Sequence, residues 1–121
     1  MNSATHPTFG NGKICYIEIP AADITASAHF YATVFGWHTR ISSDGYVSFD
    51  DAVTEVSGTW VTGRLPSTGT GIMISIMVYD IPATIQLILA NGGHIPEPMY
   101  TEGKYATFTD PYGNLFGLYQ H

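Results

Sequence analysis

Glu18 is the side chain here with the plainest chemical potential. It is a carboxylate set in the run Ile14-Cys15-Tyr16-Ile17-Glu18-Ile19. The alternation predicts a strand over residues 13–19, stopped at Pro20, with Tyr16 and Glu18 on one face and Cys15, Ile17 and Ile19 on the other. If the Glu18 face lines a pocket walled by methionine and aromatic rings, burial penalises the ionised carboxylate. Its pKa then rises toward the range of a general base. The plainer role for the same residue is to hydrogen-bond tyrosine or serine neighbours and order the pocket.

Other reactive side chains form no known arrangement. His6 and His121 sit near the ends, His29 within a helical stretch, and His38 and His94 at strand starts just after glycines. No HxH or HExxH spacing occurs, so a metal cluster is not indicated and each histidine reads as structural or solvent-facing. Cys15, on the face opposite Glu18, reads as a buried packing thiol. G-x-S-x-G, P-loop and G-x-G-x-x-G patterns are missing, and the glycines of Leu-Pro-Ser-Thr-Gly-Thr-Gly (65–71) have no phosphate-binding lysine after them.

Aromatic and sulfur side chains are the richer signal. Tyr16, Trp60, Tyr105 and Tyr119 fall on predicted strands, and aromatic walls with a few polar tips suit flat or apolar organic ligands. Trp60 shares the face of Thr62 two residues on and is the ring best placed to meet a ligand. Met73 and Met77 add soft walls around Ser75, although methionines and aromatics are also ordinary core fillers.

These residues are carried by a repeating frame. Asp23 caps a helix over ITASAHFYATVFG, where Ile24, Ala28, Tyr31 and Phe35 recur at helical spacing and Gly36 ends it. Runs at 37–42, 45–49 and 60–65 are rich in β-branched and aromatic residues, and Ser-Asp-Gly (43–45) is a hairpin signal. After the linker comes an apolar strand over 72–79, then Asp80 capping a helix over 82–90 with Pro82 in its first turn and Asn91-Gly92-Gly93 at its end. Strands at 94–95, 104–109 and 115–119 close the chain, with Asp-Pro-Tyr-Gly-Asn (110–114) turning between the last two. Asp23 and Asp80 lie 57 residues apart, and the same offset sets Gly36 on Gly93, Phe30 on Leu87 and Tyr31 on Ile88. A cap, two core positions and a stop at one offset indicate a duplicated unit whose helices bury matching faces. Two such units, each with one apolar sheet face to cover, pack around a shared concavity. The expected fold class is therefore α+β: two tandem βαβββ modules forming a cupped mixed sheet with helices outside. Residues 1–12 form a flexible N-terminal arm and 13–121 a single domain, with module one at 13–65, the linker at 66–71 and module two at 72–121.

With those residues placed, the chain resembles the vicinal oxygen chelate superfamily of glyoxalases, bleomycin-resistance proteins and extradiol dioxygenases, and most of all its small lactoylglutathione-lyase-related members. The resemblance rests on IEIPAADITASAHFYATVFGW (17–37), VYDIPATIQLILANGGHI (78–95) and GKYATFTDPYGNLFGLYQ (103–120). Its most specific pieces are Phe-Tyr-x-x-Val-Phe-Gly-Trp and Asp-Pro-x-Gly-Asn. The resemblance implies a divalent metal held by His, Glu or Gln on the inward faces of four strands, polarising adjacent substrate oxygens. Carried over one by one, those positions fall on Tyr16, Met73, Gly117 and, by the repeat, near Thr62. None of these is a usual ligand for such metals, so no metal cofactor is expected. A homodimer is also implied by the resemblance.

Composition narrows the partners. The 121 residues carry a net charge of −6, which repels phosphate backbones and argues against nucleic acid. No apolar run approaches the ~18 residues of a membrane span. A lone cysteine and an N-terminus without an apolar core fit a cytoplasmic protein. The resulting expectation is a metal-free small-molecule-binding protein whose ligand meets Tyr16, Glu18, Trp60, Thr62, Met73, Ser75, Met77, Tyr105, Gly117 and Tyr119. The alternative is a glyoxalase-like lyase or isomerase that uses Glu18 as base or a metal on unrecognised ligands.

Overall fold

A computed structural model describes residues 6–96, 101, 102 and 104–121. The first module runs β1 (Tyr16–Pro20), α1 (Ile24–Phe35), β2 (His38–Ile41), β3 (Val47–Asp50) and β4 (Ser57–Val61). The second runs β5 (Ser75–Val78), α2 (Ile81–Ala90), β6 (Thr101–Glu102), β7 (Tyr105–Thr109) and β8 (Leu115–Gln120). The fold is the α+β arrangement of two βαβββ units. Each sheet is mixed: β1-β4-β3-β2 and β5-β8-β7-β6, with the first and last strand of each unit parallel and the rest antiparallel.

Both helix starts behave as the sequence predicts. The carboxylates of Asp23 and Asp80 accept the backbone N–H of Ala26 and Ala83, each at 3.0 Å, satisfying a donor the helix itself cannot. Gly36 ends α1 at φ 72°, a conformation costly for residues with a Cβ. The second stop is shifted by one. Gly92 takes the positive φ of 92°, while Gly93 serves close packing. A Cβ on Gly93 would meet Ile88 Cγ2 at 2.6 Å and the Phe30 ring at 3.0 Å. The repeat is also looser than the offset suggested: Tyr31 and Ile88 are both fully buried, but Leu87, the match of buried Phe30, is 42% exposed.

The reason is that α1 wedges between the two units. Phe30 packs on Phe108 with centroids 6.2 Å apart, and Tyr31 meets Trp37 at 4.6 Å, Trp60 at 6.0 Å and Phe116 at 5.9 Å. One aromatic core thus covers the helix-facing sides of both sheets. The other side of each sheet is left outside that core, and it is called the outward face below.

A buried carboxylate clamps this arrangement. Asp110 is fully buried. Its Oδ2 accepts the Tyr31 hydroxyl and the Asn114 amide, each at 2.8 Å. Its Oδ1 accepts the backbone N–H groups of Tyr112, Gly113 and Asn114, each at 3.0 Å. Asn114 then donates to the Pro20 carbonyl at 2.7 Å and accepts from the linker amide of Ser67 at 2.9 Å. Burial, with the carboxylate alongside, pushes the Tyr31 phenol well above its ordinary pKa.

Three boundaries differ from expectation. The segment 13–15 precedes β1, and Cys15 is exposed rather than packed, because the chain there has no strand beside it to bury the thiol. The strand expected at 60–65 lies at Ser57–Val61, with Gly63 turning at φ 87°. The strand expected at 72–79 is confined to Ser75–Val78, and His94 makes only an isolated bridge to Thr109. Of the N-terminal arm, residues 1–5 lie outside the described residues. His6, Thr8 and Lys13 converge on Glu55, and the Thr8 backbone N–H leads the contacts that hold the Glu55 carboxyl down at about 2.

Replacing Tyr31 by Phe removes one hydrogen bond to a buried charge and is expected to cost about 1.5–3 kcal/mol in urea denaturation. Asp110→Ala strands several buried donors at once and should cost more than about 4 kcal/mol or prevent folding.

Candidate functional site

The outward face of the first sheet is built by strand register. Arg40, Ser48, Thr59 and Glu18 form one row across β2, β3, β4 and β1, and His38, Asp50, Ser57 and Tyr16 form the next. Its charges are mostly neutralised in place. Arg40 grips Asp50 through two bonds of 2.9 Å each, and Ser57 donates to the same carboxylate at 2.7 Å. Arg64, from the turn after β4, donates to Glu18 at 2.7 Å. The Glu18 side chain is 46% exposed. Glu18 is therefore ion-paired and about half-exposed, at the edge of a small seam cavity rather than enclosed in a pocket.

Beside it, the hydroxyls of Tyr16 and Tyr46 lie 3.2 Å apart. Hydrogen bonds from Thr59 and Tyr16 lower the Tyr46 pKa, and the Tyr46 contact is the largest cause holding Tyr16 up at about 12. The two phenols titrate as a coupled pair: once one has ionised, the other is held protonated as its hydrogen-bond donor.

The outward face of the second sheet carries Ser75, Gly117 and Thr107 in one row and Met77, Tyr119 and Tyr105 in the next. The end of the Tyr105 ring lies over Gly117. A Cβ built on that glycine would stand 2.5 Å from Ser75 Oγ and 2.6 Å from the Tyr105 hydroxyl. The missing side chain at Gly117 is what admits Tyr105 to this spot. Met73 precedes β5 and is part-exposed.

Seven of the ten sequence-predicted ligand residues thus lie on outward faces: Tyr16 and Glu18 on one sheet, and Ser75, Met77, Tyr105, Gly117 and Tyr119 on the other. Met73 stands just before β5. Two do not fit the expected placement. Trp60 is 2% exposed and faces the helices, packed between Tyr31 and Phe49. Thr62 lies in the turn after β4. Both errors have one cause: β4 starts earlier than expected, so Thr59, opposite Glu18, takes the outward position. Tyr46, Arg40 and Arg64 were missed. The alternation of Tyr46 with Ser48 was the available signal for the first of them.

Two cavities adjoin these residues. A small one of about 90 Å³ opens at the seam between the modules, among Glu18, Pro20, Ser67, Ile72 and Asn114. A groove of about 660 Å³ lies on the helix side, between the end of α1, the loop after β3, β5 and the start of α2.

With this geometry in place, the chain can be set beside known proteins. The profile of the glyoxalase/bleomycin resistance protein/dioxygenase superfamily matches residues 13–118. The chain belongs to that superfamily. A glyoxylase-like domain-containing protein from Didymella fabae is 29% identical over 121 aligned positions, covering 89% of this chain and 93% of the relative. Among solved structures, the fosfomycin resistance protein FosX of Listeria monocytogenes superposes with a TM-score of 0.71 at 20% identity, covering 91% of each chain. The antibiotic binding protein TnmS3 from a Streptomyces species gives a TM-score of 0.65 at 20% identity, over 93% of this chain and 98% of that one. At such identities these structures speak to the fold. Superfamily membership supports small-molecule binding or resistance at the family level.

In a spectrophotometric tyrosine titration, the Tyr16–Tyr46 pair should lose its first proton below the usual phenol range and its second only at about 12. Tyr46→Phe should abolish the early step and bring Tyr16 down toward its ordinary value. Gly117→Ala is expected to cost about 1–3 kcal/mol, because the Tyr105 ring and Ser75 Oγ must shift to admit the methyl group. It should also shift the ring resonances of Tyr105, which NMR would show.

Proposed function

We propose that this superfamily member is a small-molecule-binding protein that works without the divalent metal of its relatives, holding an organic ligand against the outward sheet faces. The observation that carries this reading is Gly117 under Tyr105. At the last-strand position where the superfamily resemblance calls for a metal ligand, there is no side chain, and an aromatic hydroxyl fills the space a carboxylate would need. The other positions offer Tyr16, Met73 and Thr59 or Thr62, which do not suit Zn²⁺, Ni²⁺ or Mn²⁺. Among the described residues, no group of three or more His, Cys, Asp or Glu is placed to hold a metal ion. The residues present do not fit the family metal.

What these faces offer instead is a set of hydroxyls beside apolar walls: Tyr16, Tyr46 and Ser75 with Met77, Tyr119 and the ring of Tyr105. Such a surface donates hydrogen bonds to carbonyl, quinone or phenol oxygens and packs on flat rings. The likeness to an antibiotic binding protein and the superfamily's resistance members point the same way. The alternative, a lyase or isomerase with Glu18 as general base, is disfavoured by the Arg64 ion pair and by the exposure of Glu18.

A second copy of the chain is part of this reading. The modules are joined through their helix-facing sides, so each outward face stays open within one chain. Ile72, Met77 and Tyr79, on or beside edge strand β5, are 88%, 62% and 86% exposed. An apolar edge of this kind is covered most simply by a homodimer that also closes the faces into a cup.

Elemental mass spectrometry of untagged protein, before and after equilibration with Zn²⁺, Ni²⁺, Mn²⁺ and Fe²⁺, should find well under one metal per chain. Stoichiometric retention would sink the metal-free reading. Sedimentation equilibrium should show a dimer, shifted toward monomer by Met77→Glu. A monomeric parent chain would remove the dimer from the account.

A further inference from the structure

We propose that the helix-side groove is a second ligand site, separate from the outward faces and built for an apolar organic cation. Its volume of about 660 Å³ lies within the range of drug-sized ligand sites. Its inner wall is made of residues that point away from the outward faces: Ile17 and Phe49 of the first sheet, Ile76 of the second, and Val34 and Phe35 of α1, with Trp37 beside them. Around edge strand β5 it also reaches Ser75, Met77 and Tyr79, on the other side of that strand.

The charged side chains that line it all have one sign. The ionisable residues lining it are Asp51, Asp80 and Tyr79, with no Lys, Arg or His. Neither aspartate is ion-paired among the described residues. Asp51 uses Oδ1 to accept the backbone N–H groups of Glu55 at 2.7 Å and Val56 at 3.2 Å. Asp80 uses Oδ1 for its helix cap at 3.0 Å. Those donors are neutral, so the two carboxylates that line the groove have no cationic partner among the described residues.

The end of α1 adds to them. Val34 and Phe35 bring its C-terminal turn to the groove, and that turn holds no basic residue, so a partial charge of about −0.5 goes uncompensated. The start of α2 contributes the opposite partial charge, but Asp80 sits on it with a whole one. Phe35, the part-exposed ring of the lining, can turn a π face to a cation, while Trp37 and Phe49 are stacked on each other and serve as apolar backing. The net charge of −6 across the chain draws cations and repels anions at longer range. A neutral hydrocarbon would use the rings but leave the carboxylates without a partner, and an anion would be repelled by both. The occupant that satisfies walls and rim together is a hydrophobic body carrying a delocalised or amine-borne positive charge.

Tetraphenylphosphonium and tetraphenylborate have nearly the same shape and opposite charge, and serve as the probes. Titrated into the full chain and followed by calorimetry and tryptophan fluorescence, tetraphenylphosphonium should bind once per chain and tetraphenylborate at least tenfold more weakly. Asp51→Asn with Asp80→Asn keeps both Oδ1 acceptors, and with them the loop and the cap. It should weaken the cation at least tenfold while leaving the circular dichroism spectrum unchanged. Ala83→Trp, at an exposed groove-lining position of α2, should abolish binding. Equal binding of the two probes, no binding of the cation, or full binding in Ala83→Trp would each overturn the proposal. The metal measurement above is untouched by any of these results, so the metal-free reading and the groove stand or fall separately. Met77 and Tyr79 line the groove as well as the proposed dimer edge, so sedimentation with and without tetraphenylphosphonium shows whether one occupant displaces the other.

Discussion

The structure hangs on a carboxylate that has no access to water. Burying Asp110 is unfavourable by several kcal/mol unless every lone pair finds a donor. Here the donors come from three parts of the chain: the α1 hydroxyl of Tyr31, the amides of its own turn and the side chain of Asn114. Asn114 carries the connection on to β1 and the linker. The Asp-Pro-Tyr-Gly-Asn turn is therefore more than a reversal between two strands. Docking α1 there sets Phe30 against Phe108 and Tyr31 against Phe116, and so decides that the modules meet through their helix-facing sides.

That choice has a consequence for chemistry. A sheet has two faces, and when both helix-facing sides are spent on one core, both remaining faces are left for ligands or partners. The outward faces answer differently from a metal centre. On the first sheet the carboxylates are already taken, Asp50 by Arg40 and Glu18 by Arg64, which leaves phenols and hydroxyls as the available polar groups. On the second sheet a glycine lets Tyr105 lie flat where a longer residue would project. Gly58 performs the reverse service inside. A Cβ there would meet the Ile17 carbonyl at 2.1 Å and the Phe49 ring at 2.5 Å, so its absence lets the Phe49 ring lie over β4 beside Trp60. Each sheet thus uses a glycine in its central parallel-paired strand to seat an aromatic ring, one on the core side and one on the outward side.

Much of this was legible in the sequence, and the failures share a physical cause. The Asp caps, the Gly36 stop, the Asp-Pro-x-Gly-Asn turn and the two-unit frame were readable because each depends on local backbone chemistry. Strand phase depends on partners far along the chain, and a slip of one residue reverses every face. The sequence Ser57-Gly-Thr-Trp-Val61 begins with Ser-Gly, a pair of weak strand character, so the strand seemed to start later, at Trp60. With the start misplaced, Trp60 was assigned outward, although its indole N–H is buried without a hydrogen-bond partner among the described residues. That orphan donor shows how strongly the rings of Tyr31 and Phe49 compete for the indole. Leu87 fails for a related reason. A repeat predicts equivalent environments, but a wedge between two modules has no equivalent on α2, which lies at the side of the junction.

The same asymmetry accounts for where charge is left unbalanced. α1 is spent on packing, and its C-terminal turn opens on the groove without a basic residue. The loop after β3 is tied down by Asp51, and α2 is started by Asp80, so both carboxylates stay in place as helix and loop anchors whether or not anything occupies the space between them. An anchor needs only one oxygen. Neutral caps such as serine or asparagine would have served each helix or loop nearly as well, and Arg40 and Arg64 show that this chain can neutralise a carboxylate where a sheet face requires it. Two unpaired aspartates flanking an aromatic-walled groove are therefore not imposed by the fold. They are a feature the fold permits, and one whose chemistry is directed at whatever enters.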